Sequence, residues 1–392
     1  MITPLSQMRF NLKELSGSLG DLGLFIPLMV AVCISTDMNF AIVLIAAGIM
    51  NIATGILFNQ PIPVQPMKAI AAVAIAEGLS AGQVAASGLL IGLILLALTY
   101  SGLLQRLISY IPKALIAGIQ LGVGLKLMWL SIQWMAELNW SFDDTNSVLL
   151  FNLPGVSIGL LSLCVLSILL VSMNKAFPTL LIIFGLGIVL VYFNDSTASD
   201  FTINADWLLS VTFIWPSIAD FAHSFWYAVL PQLPLTLLNS VIAICALSAD
   251  YFPKKGVSTN KMASSVAWMN IVCSPLGALP MCHGASGLAA QYQFGARTGG
   301  SVVMLGTLKV LLGVFLGTSM LAAMSVYPKF ILAPLLIIAG IALCKAGWRQ
   351  KGATNISIVL ACATGIIFVN TLVGFVIGLA VFASFKFTLP KS

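Results

Sequence analysis

The stretch Asn59-Gln60-Pro61-Ile62-Pro63-Val64-Gln65-Pro66-Met67-Lys68 decides how the whole chain is read. Three prolines in the six positions from Pro61 to Pro66 remove amide donors and force extended backbone. An apolar run of helical length, Phe40–Phe58, precedes it, and a short one runs from Met67 to Gly78. That short run covers roughly 18 Å as a helix, about half a bilayer. The event recurs at Ser274-Pro275-Leu276-Gly277-Ala278-Leu279-Pro280. There a helix is expected from Met281 through Cys282, His283, Gly284, Ala285, Ser286 and Gly287. Irregular backbone at mid-membrane depth survives only when buried in protein or lining a cavity. The two extended stretches are therefore expected to pair with each other.

Outward from these stretches the chain is overwhelmingly apolar. Of its 392 residues, 59% are hydrophobic and 8% charged, and the mean hydropathy is +1.05. A soluble protein carries about 25% charged residues. A soluble enzyme, a nucleic-acid binder and a disordered chain are excluded. The apolar runs are continuous, as in Ile158–Val171 and Ile331–Leu343, whereas barrel strands alternate polar and apolar. The fold class is an all-α polytopic membrane protein. Seven scattered cysteines without CxxC spacing read as packing residues. The basic, early polar segment Met1–Ser18 leads us to expect no cleavable signal peptide and a retained first helix. No GxxxxGK[ST], HExxH, Ser-His-Asp or clustered metal-ligand pattern is present, so we expect no enzyme, no cofactor and no metal.

The breakers divide the runs into fourteen spans. The first seven lie at about Gly17–Thr36, Phe40–Phe58, Met67–Gly78, Gln83–Leu103, Lys113–Met135, Gly155–Met173 and Phe177–Phe193. The next four lie at about Leu230–Ala249, Asn260–Cys273, a short run after Pro280, and Val302–Met324. The last three lie at about Phe330–Cys344, Ala353–Val369 and Leu372–Lys386. With the N-terminus inside, Arg106, Lys113, Lys175, Lys254, Lys255, Lys261, Arg297, Lys345, Arg349 and Lys351 fall in inner loops. Asp37, Glu137, Asp143, Asp144, Asp195, Asp200, Asp206 and Asp220 fall outside, with Lys329 the one outer loop cation. This positive-inside pattern puts both termini in the cytoplasm, and we expect a multi-pass protein of the cell (inner) membrane.

The two halves echo each other at an offset near 214. Gln65-Pro66-Met67 matches Leu279-Pro280-Met281, and Tyr110-Ile111-Pro112-Lys113 matches Val326-Tyr327-Pro328-Lys329. Seven spans per repeat is odd, so the second copy is inverted, which explains Lys329. Inverted repeats with discontinuous helices are the architecture of secondary transporters. Inversion brings the N-termini of the two half-helices face to face. Each presents unpaired amides and about half a positive charge, and two opposed N-termini make an anion site.

The residues around that site are then candidates. Gly284, Ala285 and Ser286 are small enough for an oxyanion to reach the backbone. Lys68, in the first turn after Pro66, adds a full charge or points into the scaffold. Gln65, Gln232, Thr236 and Asn239 donate hydrogen bonds without charge, or bond between helices. Asp21, inside the first span, is a proton site or a brace, or else caps a helix start. His283 suits proton coupling, or is a packed neutral imidazole. Met67 and Cys282 start the two half-helices. Glu77 ends the first half-helix and is expected to be solvated. The aromatic-rich stretch Asp220–Tyr227, with His223, reads as a separate interfacial helix.

Four motifs resemble the molybdate transporter family, a branch of the sulfate permease (SulP) superfamily. They are Gly20-Asp21-Leu22-Gly23-Leu24-Phe25-Ile26-Pro27, Pro63-Val64-Gln65-Pro66-Met67-Lys68 and Pro231-Gln232-Leu233-Pro234-Leu235-Thr236-Leu237-Leu238-Asn239-Ser240. The fourth joins Pro280-Met281-Cys282-His283-Gly284-Ala285 to Phe294-Gly295-Ala296-Arg297. The resemblance spans essentially the whole chain. It implies the seven-plus-seven inverted fold shared with uracil permease, with substrate between spans three and ten, flanked by one and eight. It also implies a core domain in residues 1–109 and 194–325 and a gate domain in 110–193 and 326–392. Most sulfate permeases carry a STAS domain after the last span, and here Lys391-Ser392 ends the chain. That favours the STAS-less molybdate branch and leaves a homodimer open. The expected function is secondary transport of a tetrahedral oxyanion, molybdate first, as proton-coupled import by an elevator movement. Sulfate or another small anion on the same site, or a passive anion channel, are the alternatives. The expected partners are the oxyanion, protons and the lipid bilayer, not nucleic acid.

Overall fold

The computed structural model of the chain describes residues 8–19, 22–140, 147–148, 151–152, 157–172, 179–194, 213–325, 327–348 and 350–388. A short helix α1 (Leu12–Leu19) is followed by α2 (Leu22–Thr36) and α3 (Phe40–Phe58). The strand β1 (Val64–Pro66) and half-helix α4 (Lys68–Glu77) come next, then α5 (Ala81–Tyr100), α6 (Leu104–Tyr110) and α7 (Lys113–Ala136). The strands β2 (Ser147–Val148) and β3 (Phe151–Asn152) pair with each other ahead of α8 (Ile158–Ser172) and α9 (Thr179–Asn194). The second half holds α10 (Ile218–Tyr251), α11 (Thr259–Cys273), β4 (Met281–His283) and α12 (Ala285–Gln293). It closes with α13 (Gly300–Ser325), α14 (Lys329–Gly347), α15 (Ala353–Phe368) and α16 (Thr371–Thr388).

Helix ends follow local chemistry. Asn39 accepts from Ala41 and Ile42 amides at the start of α3, and Ser80 forms a capping box with Gln83 at the start of α5. Gly78, at φ 69°, closes α4 in the left-handed conformation that only glycine adopts without cost. Pro112 and Pro328 immediately precede α7 and α14, the repeat-related pair read from sequence. These two helices cross at Gly124 and Gly340. A Cβ on either would lie 2.7–2.8 Å from the other's carbonyl oxygen, so the approach needs small residues.

Several boundaries differ from expectation, each for a physical reason. The described part of the first span runs over Leu22–Thr36, and Gly17–Leu19 fall in α1. α1 is pinned by Glu14, which accepts from the Arg297 and Thr298 amides at 3.0–3.3 Å. The eighth span begins at Ile218, twelve residues ahead of Leu230. Asp220 is therefore not a loop acid but half of a capping box with Ser217. Asp220–Tyr227 is the first part of α10 rather than a separate interfacial helix. Pro231 and Pro234 do not break α10, because wider π-helical turns at Phe225–Val229 and Thr236–Ala243 absorb the missing donors.

Among the described residues four helices, α3, α5, α7 and α10, are each long and apolar enough to cross a membrane. α3 packs along α13 and α5 along α11, while α7 is surrounded by α14, α15 and α16. α4 joins these groups by touching both α2 and α7. No disulfide links the cysteines, all seven of which are described.

Candidate anion-binding site

The two interrupted segments meet at the centre of the bundle. β1 and β4 pair antiparallel, with Val64 opposite His283, Gln65 opposite Cys282 and Pro66 opposite Met281. The ladder extends by one bond from the Met67 amide to the Pro280 carbonyl at 2.8 Å. This corrects the second half-helix. Met281, Cys282 and His283 are extended, and the helix starts at Ala285 behind Gly284. Strand pairing satisfies the backbone groups that the proline-rich stretch cannot satisfy within itself.

Two asparagines complete that satisfaction. Asn270 on α11 donates to the Met281 carbonyl at 2.6 Å and accepts from the Met281 amide at 2.8 Å. Asn51 on α3 accepts from the Val64 amide at 2.8 Å. Each also donates to the carbonyl four residues earlier in its own helix. Both are fully buried, and they occupy equivalent places in the two halves. The sequence reading missed them. The available signal was an amide inside the second span and another inside the ninth.

Because β1 and β4 run antiparallel, α4 and α12 leave the ladder in opposite directions with their N-termini together. The Lys68 ammonium donates to Ser286 Oγ at 3.4 Å, across from one half-helix start to the other. A cavity of about 270 Å3 opens beside these two starts, at the small end of ligand pockets. Gln65, Lys68, Cys282, His283, Gly284, Ala285 and Ser286 line it from the ladder and half-helices. Gln232, Asn239 and Ser240 line it from α10, and Leu28 from α2. Gln120 and Leu127 of α7 and Ala339 of α14 form the facing wall. Gln120 and Ser240 were not anticipated as lining residues.

Met67 and Thr236 stand behind this wall rather than on it. The Thr236 hydroxyl accepts from Gln232 Nε2 at 3.0 Å and lies 4.0 Å from Met67 Sδ, so the pair braces Gln232. The other carboxamide atom of Gln232 is buried with no partner among the described residues. A flip of this amide keeps the Thr236 bond, with the hydroxyl donating to the oxygen, and turns an NH2 donor to the cavity. Gly284 allows Gln65 its place, since a Cβ there would lie 2.1 Å from Gln65 Oε1.

His283 is fully buried between the cavity and the helices behind it. Its Nε2 is 2.9 Å from Ser265 Oγ and its Nδ1 3.4 Å from the Pro63 carbonyl. Phe58 meets the ring edge-on, with centroids 5.8 Å apart. With Nδ1–H donating to Pro63, Nε2 is left to accept from Ser265. Asp21 lies outside the described residues. His223 stacks on Tyr227 at 4.5 Å and is not among the cavity-lining residues.

No carboxylate lines the cavity among the described residues. Two helix starts at about half a charge each and one lysine give about two positive charges, the complement of a divalent anion. Glu77, at the far end of α4, is not solvated as expected. It is 11% exposed and pairs with Lys126 of α7 at 3.0 Å. It also accepts from the Thr371 amide at 2.9 Å and hydroxyl at 2.6 Å, capping α16.

A family model described as molybdate transporter of the MFS superfamily matches residues 13–127 and 224–343. Molybdate transporter 1 of Arabidopsis thaliana is 35% identical over 403 residues, covering 94% of this chain and 87% of that protein. Molybdate transporter 2 of the same plant is 36% identical over 388 residues, covering 90% and 82%. Among solved structures, the transmembrane domain of a cyanobacterial bicarbonate transporter, BicA, is similar at TM-score 0.63 and 17% identity, covering 94% of this chain and 97% of that one. Murine Slc26a9, an anion transporter in its inward-facing state, is similar at TM-score 0.68 and 12% identity, covering 98% and 70%. These structural neighbours share the seven-plus-seven inverted-repeat fold, and this chain has it too. The protein is an integral, multi-pass membrane protein whose relatives are named transporters, not enzymes. On the extent of the family match and of the plant relatives, the chain belongs to the molybdate transporter family.

Proposed function

We propose that this protein is a secondary active transporter of a tetrahedral oxyanion, with molybdate as its physiological substrate. One observation carries the reading. Two half-helix N-termini converge across a strand pair on a small cavity that holds Lys68 and neutral donors. About two positive charges match a dianion, and uncharged amides let it leave again. The names of the plant relatives supply molybdate.

In this mechanism the core of spans one to four and eight to eleven moves as an elevator against the gate of spans five to seven and twelve to fourteen. The facing wall from α7 and α14 is then the surface past which the site slides. Import is driven by protons, with His283 and Asp21 as the carriers. His283 fits that task by lining the cavity while its Nε2 meets a hydroxyl able to donate or accept. Both termini lie in the cytoplasm on the loop charges.

The test is tracer molybdate uptake into proteoliposomes, with and without an inward proton gradient and with sulfate as competitor. Gradient-stimulated uptake that resists a large sulfate excess is the expected result. Uptake abolished by equimolar sulfate makes the protein a sulfate-type carrier. Uptake insensitive to a protonophore makes it a passive pathway. No uptake of either anion refutes the anion site.

A further inference from the structure

A second, larger concavity lies on the other side of the β1–β4 ladder. It is a groove of about 810 Å3 between α3, α5, α11 and the loop after α10. Its two ends differ in chemistry. One end carries Lys255, Ser258, Asn260 and Lys261, around the N-terminus of the fifteen-residue α11. Ser258 makes no side-chain cap there, so its hydroxyl does not compete for the first amides of that helix. No carboxylate lines the groove, and neither lysine has an ion-pair partner among the described residues.

Along its length the groove turns apolar and opens sideways. Leu57 and Val272 are each 49% exposed, at a depth where the spans meet lipid. Tyr100, 74% exposed at the end of α5, marks the level of the headgroups, where such rings settle, and Trp268, 50% exposed, continues the wall about 10 Å further along α11. The basic end is preformed. Gln60 donates to the Lys255 carbonyl at 2.5 Å and accepts from Ser248 at 2.7 Å, and Ser248 accepts from the Val257 amide at 3.2 Å.

We propose that this groove binds one anionic phospholipid, its phosphate between Lys255, Lys261 and the start of α11 and its acyl chain along Leu57 and Val272. Charge complementarity selects the lipid: a basic pocket at the membrane boundary recognises acidic headgroups, and the lateral opening accommodates a chain that a soluble anion lacks. The floor of the groove includes Phe58 and Ser265, the same side chains that hold the His283 ring. A lipid lodged there therefore bears on the residue that lines the opposite cavity.

The experiment is native mass spectrometry of the full chain in detergent, titrated with phosphatidylglycerol or with phosphatidylcholine of the same acyl chains. One phosphatidylglycerol is retained at low lipid ratios, and phosphatidylcholine is not. Lys255→Gln with Lys261→Gln weakens retention about thirtyfold, which is two lysines at about 1 kcal/mol each. Ser264→Leu, which fills the groove wall without changing charge, weakens it as well and serves if the lysine variant fails to elute as a single species. Equal retention of both lipids, or wild-type retention by the lysine variant, overturns the proposal. Displacement of the lipid by an equal concentration of inorganic phosphate also overturns it, because the site then selects a soluble anion.

Discussion

The contact between Glu77 and Lys126 lends itself to a quantitative test, because it ties the end of a half-helix to the helices facing it. Glu77→Ala removes the partner of a lysine that is 18% exposed and the acceptor of two Thr371 donors. Exposed pairs are worth about 0–1 kcal/mol, and breaking a buried pair costs about 3–5 kcal/mol. With side chains 18% and 11% exposed, the pair falls between, at about 2 kcal/mol. The lost cap on α16 adds about 1 kcal/mol. The sum of about 3 kcal/mol lowers the unfolding midpoint by roughly 6 °C, at about 2 °C per kcal/mol for a chain of this size. Scanning fluorimetry of purified Glu77→Ala, Lys126→Met and the double variant measures the cycle. The double variant should recover about 2 kcal/mol relative to the sum of the singles, with little sensitivity to salt because the pair is mostly buried. A coupling below about 0.3 kcal/mol, the scatter of independent sites, refutes the pairing. In the proposed elevator α4 moves and α7 does not, so the pair parts in every transport cycle. Its strength must therefore be small enough to yield.

Three further changes probe the site. Lys68→Gln removes one of about two positive charges and should weaken molybdate binding at least thirtyfold by calorimetry, since truncating one partner of a close charge pair costs about 2–5 kcal/mol; unchanged affinity places Lys68 in the scaffold. Gly284→Ala keeps an allowed backbone at φ −94° but displaces the Gln65 carboxamide, so affinity should fall about tenfold, as for one hydrogen bond to a charged ligand. Its thermal midpoint should barely move, and a fall in midpoint with affinity intact would remove Gln65 from the site. Asn270→Leu orphans both backbone groups of Met281 at about 1–3 kcal/mol each, whereas Asn51→Leu orphans the Val64 amide alone. The first variant should lose about twice the stability of the second by fluorimetry, and equal losses argue against the bracket.

What was legible in the sequence is what hydrophobicity and proline control. Fourteen spans, the inverted repeat and the two interrupted segments follow from apolar length and missing amide donors, and Pro66 does end β1 while Pro280 stands just ahead of β4. The misplacements arise where tertiary partners outweigh local preference. Met281–His283 reads as the start of a helix, yet β1 and Asn270 offer those residues better partners than a fraying first turn. Glu77 reads as solvated because it ends a short helix, and only packing shows that this end is set against Lys126 and Thr371. Pro231 and Pro234 are opaque in the opposite sense, since π-turns let α10 run through them. The residues hardest to see, Asn51, Asn270 and Ser265, support the site from behind, Asn51 in the nearly all-apolar α3 and the other two among the small and polar residues of α11. A transporter site built on broken helices requires such residues, because each interruption leaves backbone groups at a depth where no water can reach them. An amide in each repeat, thirteen residues before Val64 in one and eleven before Met281 in the other, is thus the sequence signature of the break's repair. The site's chemistry is legible in the breaks, and its rigidity in the polar residues of the neighbouring spans.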